Sequence, residues 1–308
     1  MNKSTDSVKS PIKLSAIDRE NATPLDELVS VGFPVRNGAQ TLRRALDSVL
    51  CQDHKNLQII ISDNCSTDNT AEIALEYQRR DSRIKYHRQS KFITAFENFR
   101  FVLDEARGEY FMWAAHDDSR SDDYVSELLH AMRLDPEPIL TFGDYCPTYS
   151  IEEVNCITPY DFDNTTLHPM QRLRKASGSP CAHIYGLWRI DALRSIRFFQ
   201  CIMAPDQPIM PAAAYLGKFK YIPGPRFIYL MVDKSVIERV AFQDGKLSFN
   251  KYRGVLGQLV ASYKTSASVG GVLIGMAAAL FVFEMHARNL PGFISRKWHK
   301  MISQQVPI

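Results

Sequence analysis

The stretch Tyr110-Phe111-Met112-Trp113-Ala114-Ala115-His116-Asp117-Asp118 constrains this chain more than any other. An apolar run suited to a buried strand leads straight into two adjacent carboxylates. Ser121-Asp122-Asp123 then reads as a helix cap with an acidic first turn, and Tyr124 to Arg133 as the helix. Carboxylates at the carboxyl end of a buried strand stand where open α/β sheets bind ligands. They are poorly solvated there and need a partner, and a divalent cation bridging phosphates is a suitable one. A turn that is acidic without function is the other reading. The upstream sequence separates the two.

Leu28 to Phe33 is a short apolar run ended by Pro34, with Asn37-Gly38 as its turn. Ala39, Leu42, Ala45, Leu46, Val49 and Leu50 recur at helical spacing. Leu57 to Ser62 is a second strand stopped by Asp63-Asn64, and Thr67 or Asp68 can cap a helix from about Asn69 to Arg80. Ile84 to His87 is a third strand. A further apolar stripe runs through Phe92, Phe96, Phe99, Leu103 and Ala106 before Gly108. The pattern β-α-β-α-β-α-β predicts an α/β protein with a mostly parallel sheet flanked by helices.

Three polar clusters fall immediately after strands: Pro34-Val35-Arg36-Asn37, Asp63-Asn64 and His116-Asp117-Asp118. In a parallel sheet such ends share one edge, so the clusters are expected to converge. No G-x-x-x-x-G-K-[ST] occurs, and no G-x-G-x-x-G follows the first strand. Phosphate would therefore be neutralised through a carboxylate-held metal and not on a glycine-rich loop.

These motifs resemble family 2 glycosyltransferases. The resemblance rests on VSVGFPVRNGAQTLRRALDSVLCQDHKNLQIIISDNCSTDNT, on GEY before the apolar strand, and on HDD in place of the family's D-x-D. It extends to Tyr185-Gly186-Leu187-Trp188-Arg189 and to Asp206 followed by Leu216 to Pro223, about residues 28–230. It implies the GT-A (nucleotide-diphospho-sugar transferase) fold and an inverting transfer from a nucleotide sugar, a UDP-sugar in the first instance, to a glycan or lipid-linked acceptor. Under it, Asp63 reads the base, and Pro34, Val35 and Arg36 line base and ribose. Asp117 meets the ribose hydroxyls, and Asp118 holds Mn²⁺ or Mg²⁺ on the diphosphate. Two positions depart from the family. His116 replaces the first acid of D-x-D and would contact the nucleotide or support the metal, and Phe92 stands where a small polar or basic residue is common.

The second half carries the acceptor side. Leu140 to Phe142 reads as a strand, and Gly143 to Ser179 as a long irregular loop covering the site. Asp206 precedes the apolar segment Ile209 to Leu216. By spacing it is a helix cap. By the resemblance it is the general base that an inverting transfer requires. Val269 to Phe283 is apolar, Gly- and Ala-rich, and shorter than the roughly 18 residues of a spanning helix. The basic, Trp-containing segment after it suits an anionic membrane surface, with a helix packed on the core as the alternative.

The expected organisation is a flexible tail (1–27), a transferase domain (28–230, with nucleotide-sugar half 28–145 and acceptor half 146–230) and a C-terminal helical extension (231–308). The net charge of +3 does not argue for nucleic acid. The six cysteines show no paired spacing, and with a polar amino terminus they read as reduced thiols in a cytosolic protein. Two other functions remain compatible with this fold: a nucleotidyltransferase activating a sugar phosphate, and a non-catalytic nucleotide-sugar-binding protein.

Overall fold

The structure, a computed structural model, describes residues 27–149, 156, 162–177, 181–197, 208–231 and 251–288. Its first half alternates β1 (Val29–Val35), α1 (Leu42–Leu50), β2 (Leu57–Asp63), α2 (Thr70–Arg80), β3 (Ile84–Arg88), α3 (Ala95–Asp104) and β4 (Tyr110–Trp113). There follow β5 (Ser119–Arg120), α4 (Tyr124–Leu134), β6 (Pro138–Thr148), α5 (Pro169–Ser177), β7 (Leu187–Arg189), α6 (Ile190–Ser195), α7 (Ile209–Leu216), β8 (Lys218–Leu230) and α8 (Lys251–Arg288). One eight-stranded sheet runs in the order β3-β2-β1-β4-β7-β6-β8-β5. The β1 to β4 half is parallel throughout. Strand β7 enters antiparallel between β4 and β6, β8 lies parallel to β6, and β5 pairs antiparallel to β8.

Strands β1 and β4 are buried along their whole length because both faces are covered. Met112 faces a core of Val31, Phe33, Leu46, Ile59 and Leu128. Its neighbours Phe111 and Trp113 face the opposite core, with Val102, Phe142, Trp188 and Met210. Gly32 lets α3 lie close on β1, since a Cβ there would sit 2.6 Å from Val102 Cγ2. Pro34 is tolerated inside β1 because the β4 side of the ladder has ended at Gly32.

The structure revises three expectations. The segment after Gly143 is not irregular throughout: β6 continues to Thr148, and α5 occupies residues 169–177. Pairing with β8 across bulges extends β6 beyond its apolar stretch. Cys146 and Cys156 are joined as a disulfide, whereas Cys51 and Cys65 are free. The reduced-thiol reading therefore fails for that pair, which a strand end brings together at a spacing outside the familiar motifs. The apolar run is also not too short to span a bilayer. It belongs to α8, whose stretch Gln258–Met285 is 28 residues long and contains an 18-residue window of mean hydropathy 2.0, and whose backbone kinks at Gly271, where φ is 78°. Small polar residues, which a helix accommodates, extend it on the amino-terminal side.

Candidate active site

Register puts the polar clusters on one edge. Val35 pairs with Asp63, the Asn64 N–H donates to the Val35 carbonyl, and the Ala114 N–H donates to the Gly32 carbonyl. The chain ends leaving β1, β2 and β4 thus meet at a cleft of about 340 Å³, lined by Pro34, Val35, Arg36, Phe92, His116 and Asp117 among others. Asp63 and Asp118 do not line it; both are fully buried beside it. Asp206 lies outside the described residues. Another cleft, of about 330 Å³, lies away from these clusters, against Leu57, Arg83 and Lys85.

On the β2 side, Asp63 Oδ1 accepts from the Ser66 N–H at 2.8 Å. Its Oδ2 accepts from the Tyr86 hydroxyl at 2.8 Å and lies 3.7 Å from Arg88. Burial first, and then the bond to Asp63, push the Tyr86 phenol up to about 12, so it stays a donor. The Arg36 guanidinium sits 4.5 Å over the ring of Phe92, which is 59% exposed. This is the wall where a flat ring can stack.

If Asp63 reads the base, Asp63→Asn weakens binding of a uridine nucleotide by about 1–3 kcal/mol, as for a hydrogen bond to a charged group. The chemical step then changes little. Calorimetry that finds unchanged affinity removes the role.

On the β4 side, the turn between β1 and α1 fixes His116. Asn37 adopts a left-handed φ of 52°, and its N–H donates to Ser66 Oγ. A Cβ on Gly38 would lie 2.7 Å from Val35 Cγ2 and 2.9 Å from His116 Cγ, so glycine makes room for the imidazole. Thr41 Oγ1 then meets His116 Nδ1 at 2.9 Å. Arg44 donates to the Asp117 carbonyl and leaves its carboxylate at the cleft.

Asp118 does not line the cleft. Its Oδ1 accepts from the Leu230 N–H at 3.1 Å, whereas the buried Oδ2 has no hydrogen-bond partner. Burial, reinforced by the adjacent Asp117 charge, pushes its carboxyl up to about 7. Beneath it Arg120 is buried, donating through Nη2 to the Trp113 carbonyl at 2.9 Å and lying 5.3 Å over the Phe227 ring. Tyr185 stacks on the other side of this aromatic group, 5.4 Å from Phe227. Among the described residues no group of three or more His, Cys, Asp or Glu could hold a metal. A cation here would have one protein carboxylate, the orphaned Oδ2 of Asp118, and otherwise phosphate or water oxygens. Mg²⁺ and Mn²⁺ accept such a set.

Sequence reasoning did not find Thr41, Arg44, Tyr86 or Arg120. Of these, Tyr86 alone had a signal, since alternation along β3 puts it on the face of Ile84 and Arg88.

Residues 30–149 match the model of glycosyl transferase family 2. An uncharacterized glycosyltransferase of Rickettsia typhi is 32% identical over 119 residues, which are 38% of this chain and 36% of that protein. A GalNAc(5)-diNAcBac-PP-undecaprenol beta-1,3-glucosyltransferase of Campylobacter jejuni is 33% identical over 102 residues, 33% of each chain. The chain thus matches about a third of the length of these relatives. Staphylococcus aureus TarS 1-349, solved with UDP-GlcNAc, has a TM-score of 0.54 at 15% identity, covering 86% of this chain and 82% of its own. The mannosyltransferase PcManGT of Pyrobaculum calidifontis, solved with GDP-Man and Mn²⁺, gives 0.52 at 15%, covering 91% and 86%. The architecture is that of the GT-A transferases, and the similarity to glycosyl transferase family 2 lies in residues 30–149.

Proposed function

We propose that the chain is an inverting glycosyltransferase that takes a sugar from a nucleoside-diphosphate sugar, in the first instance a UDP-sugar, to a glycan or lipid-linked acceptor. The observation that carries this is the partnerless, buried Oδ2 of Asp118, next in sequence to Asp117, which lines a cleft walled by Arg36 and Phe92. That arrangement suits a flat base at one end and a diphosphate at the other. The relative named for a PP-undecaprenol-linked substrate and the neighbour solved with UDP-GlcNAc support the choice of acceptor and nucleotide classes.

In this reading the acceptor oxygen attacks the anomeric carbon from the face opposite the diphosphate. The bond from that carbon to the phosphate oxygen breaks, and the nucleoside diphosphate leaves with the electron pair. Asp206 takes the acceptor's proton. Asp117 orients the ribose, Pro34, Val35 and Arg36 hold the base side, and His116, fixed by Thr41, closes the floor. Asp118 would hold Mn²⁺ or Mg²⁺, which neutralises charge on the departing diphosphate. Phe92 and Tyr185, which both line the cleft, limit water there.

A panel of nucleotide sugars, scored by nucleoside diphosphate release with Mn²⁺ and with chelator, tests the proposal. Metal-dependent release from one donor is the expected result. Pyrophosphate release from a nucleoside triphosphate plus sugar phosphate would instead mark a nucleotidyltransferase. Tight nucleotide binding with no turnover on any acceptor would mark a binding protein.

A further inference from the structure

Helix α8 is built inside out. Before its kink at Gly271 the buried positions are mostly polar, Gln258, Ser262, Thr265 and Ser266 beside Ala261. In its second half Val272, Leu273, Met276 and Leu280 are exposed, Leu273 to 79%. At 3.6 residues per turn these four fall within about 100° of arc. The buried Ala278 and Val282 lie on the other side. No charged residue occurs from Thr265 to Phe283. A helix face meant for water carries charges, so this one is made for an apolar medium.

The helix is also tied to the domain along its length. The Arg197 N–H donates to Ser268 Oγ at 3.2 Å, and Val269 packs against the core on the α7 side of the sheet. Near its other end Glu284 pairs with Arg174 of α5 at 3.2 Å, and Arg174 lies 5.5 Å over the Phe281 ring. A helix bound to the body of the protein at both ends of its apolar stretch cannot cross a bilayer as an independent span.

We propose that α8 lies in the plane of an anionic membrane surface, seating Val272, Leu273, Met276 and Leu280 among the acyl chains while α5 and α7 hold its opposite side. The choice of a bilayer over a second copy rests on charge. From Met285 to Ile308 the chain has Arg288, Arg296, Lys297 and Lys300, includes Trp298, and has no acidic residue. Such a segment complements anionic headgroups next to an embedded apolar face. A second copy carries the same positive charge in this part of its sequence, so charge complementarity favours an anionic surface over it.

Flotation of the full chain with phosphatidylcholine vesicles and with phosphatidylcholine–phosphatidylglycerol vesicles tests this, and needs no sugar donor. Binding should favour the anionic vesicles and be released by alkaline carbonate. The double change Leu273→Glu and Met276→Glu should lower the bound fraction at least about tenfold, with wild-type circular dichroism and nucleotide affinity. Arg296→Gln with Lys297→Gln and Lys300→Gln should remove the anionic preference in a protein whose helix face is untouched. Absence of flotation by the wild type would overturn the proposal. So would carbonate-resistant binding, which marks a span, or a lipid-free dimer by light scattering that the Leu273/Met276 double change dissociates. Because vesicle binding is read without turnover, its outcome is independent of the transferase assignment.

Discussion

Asp118→Asn is expected to be inactive and yet, in chelator at neutral pH, more stable than the wild type. The loss should reach about 10³-fold or more in turnover, because the cation on the diphosphate contributes several kcal/mol to the transition state. The stability gain comes from the same burial. With its folded carboxyl raised to about 7, Asp118 holds a proton in the folded protein where the unfolded chain, near the ordinary 3.9, has lost it. Below about pH 4 both states are protonated, and this group's contribution to stability is fully present. Between about 4 and 7 the folded state binds more protons than the unfolded one, so stability falls as pH rises, and the fall ends above about 7. Asparagine cannot ionise and removes that slope. Thermal melts of both proteins across this range in chelator, beside turnover with Mn²⁺, check the two halves separately. Full wild-type turnover in chelator, or an active Asn variant, would sink the metal role.

A carboxylate that weakens the fold and is still kept from water is a sign of a site, and sequence made half of it visible. The apolar run into Asp117-Asp118 and the clusters after Phe33 and Ser62 were legible because strand period and turn chemistry are local. Parallel order then fixed their common edge. What holds each side chain was not legible, because it comes from elements distant in sequence. Leu230 satisfies Asp118 Oδ1 from β8, Tyr86 caps Asp63 from β3, and Thr41 fixes His116 from the start of α1. The second half was harder for a related reason. A parallel β6–β8 pair beside an antiparallel β7 depends on long-range pairing, and the stretch after Gly143 has the composition of a loop although its first part is strand. The length of α8 was missed because Ser and Thr interrupt its apolarity while the chain stays helical on both sides of the kink at Gly271. In an aqueous protein those residues would be expected on the outside.

Asp206→Asn is expected to lower turnover by about 10²–10⁴ while leaving donor affinity within a few-fold of wild type. An acceptor hydroxyl is too weakly acidic to ionise unaided, so the group that takes its proton controls the chemical step and not the binding of the nucleotide. Asp206 lies outside the described residues, and its role rests on the resemblance and on its place in the chain. The competing role, a helix cap, has a position to be compared with. Helix α7 begins at Ile209 with Pro208 as its N-cap and no side-chain cap bond. Asp206 therefore stands two residues before the cap, off the position from which a side chain accepts the N2 or N3 amide. Capping would in any case survive Asp→Asn almost intact, since both residues cap well. The two roles thus predict opposite outcomes from one substitution: a large loss of turnover with unchanged unfolding temperature for the base, and near-silence in both for the cap. Turnover within a few-fold of wild type would mean that another group accepts the proton. Asp191, at the first turn of α6, is a poor replacement because α6 packs on β7, beyond β4 from the cleft. Loss of turnover at constant nucleotide affinity assigns the base to the segment immediately before α7.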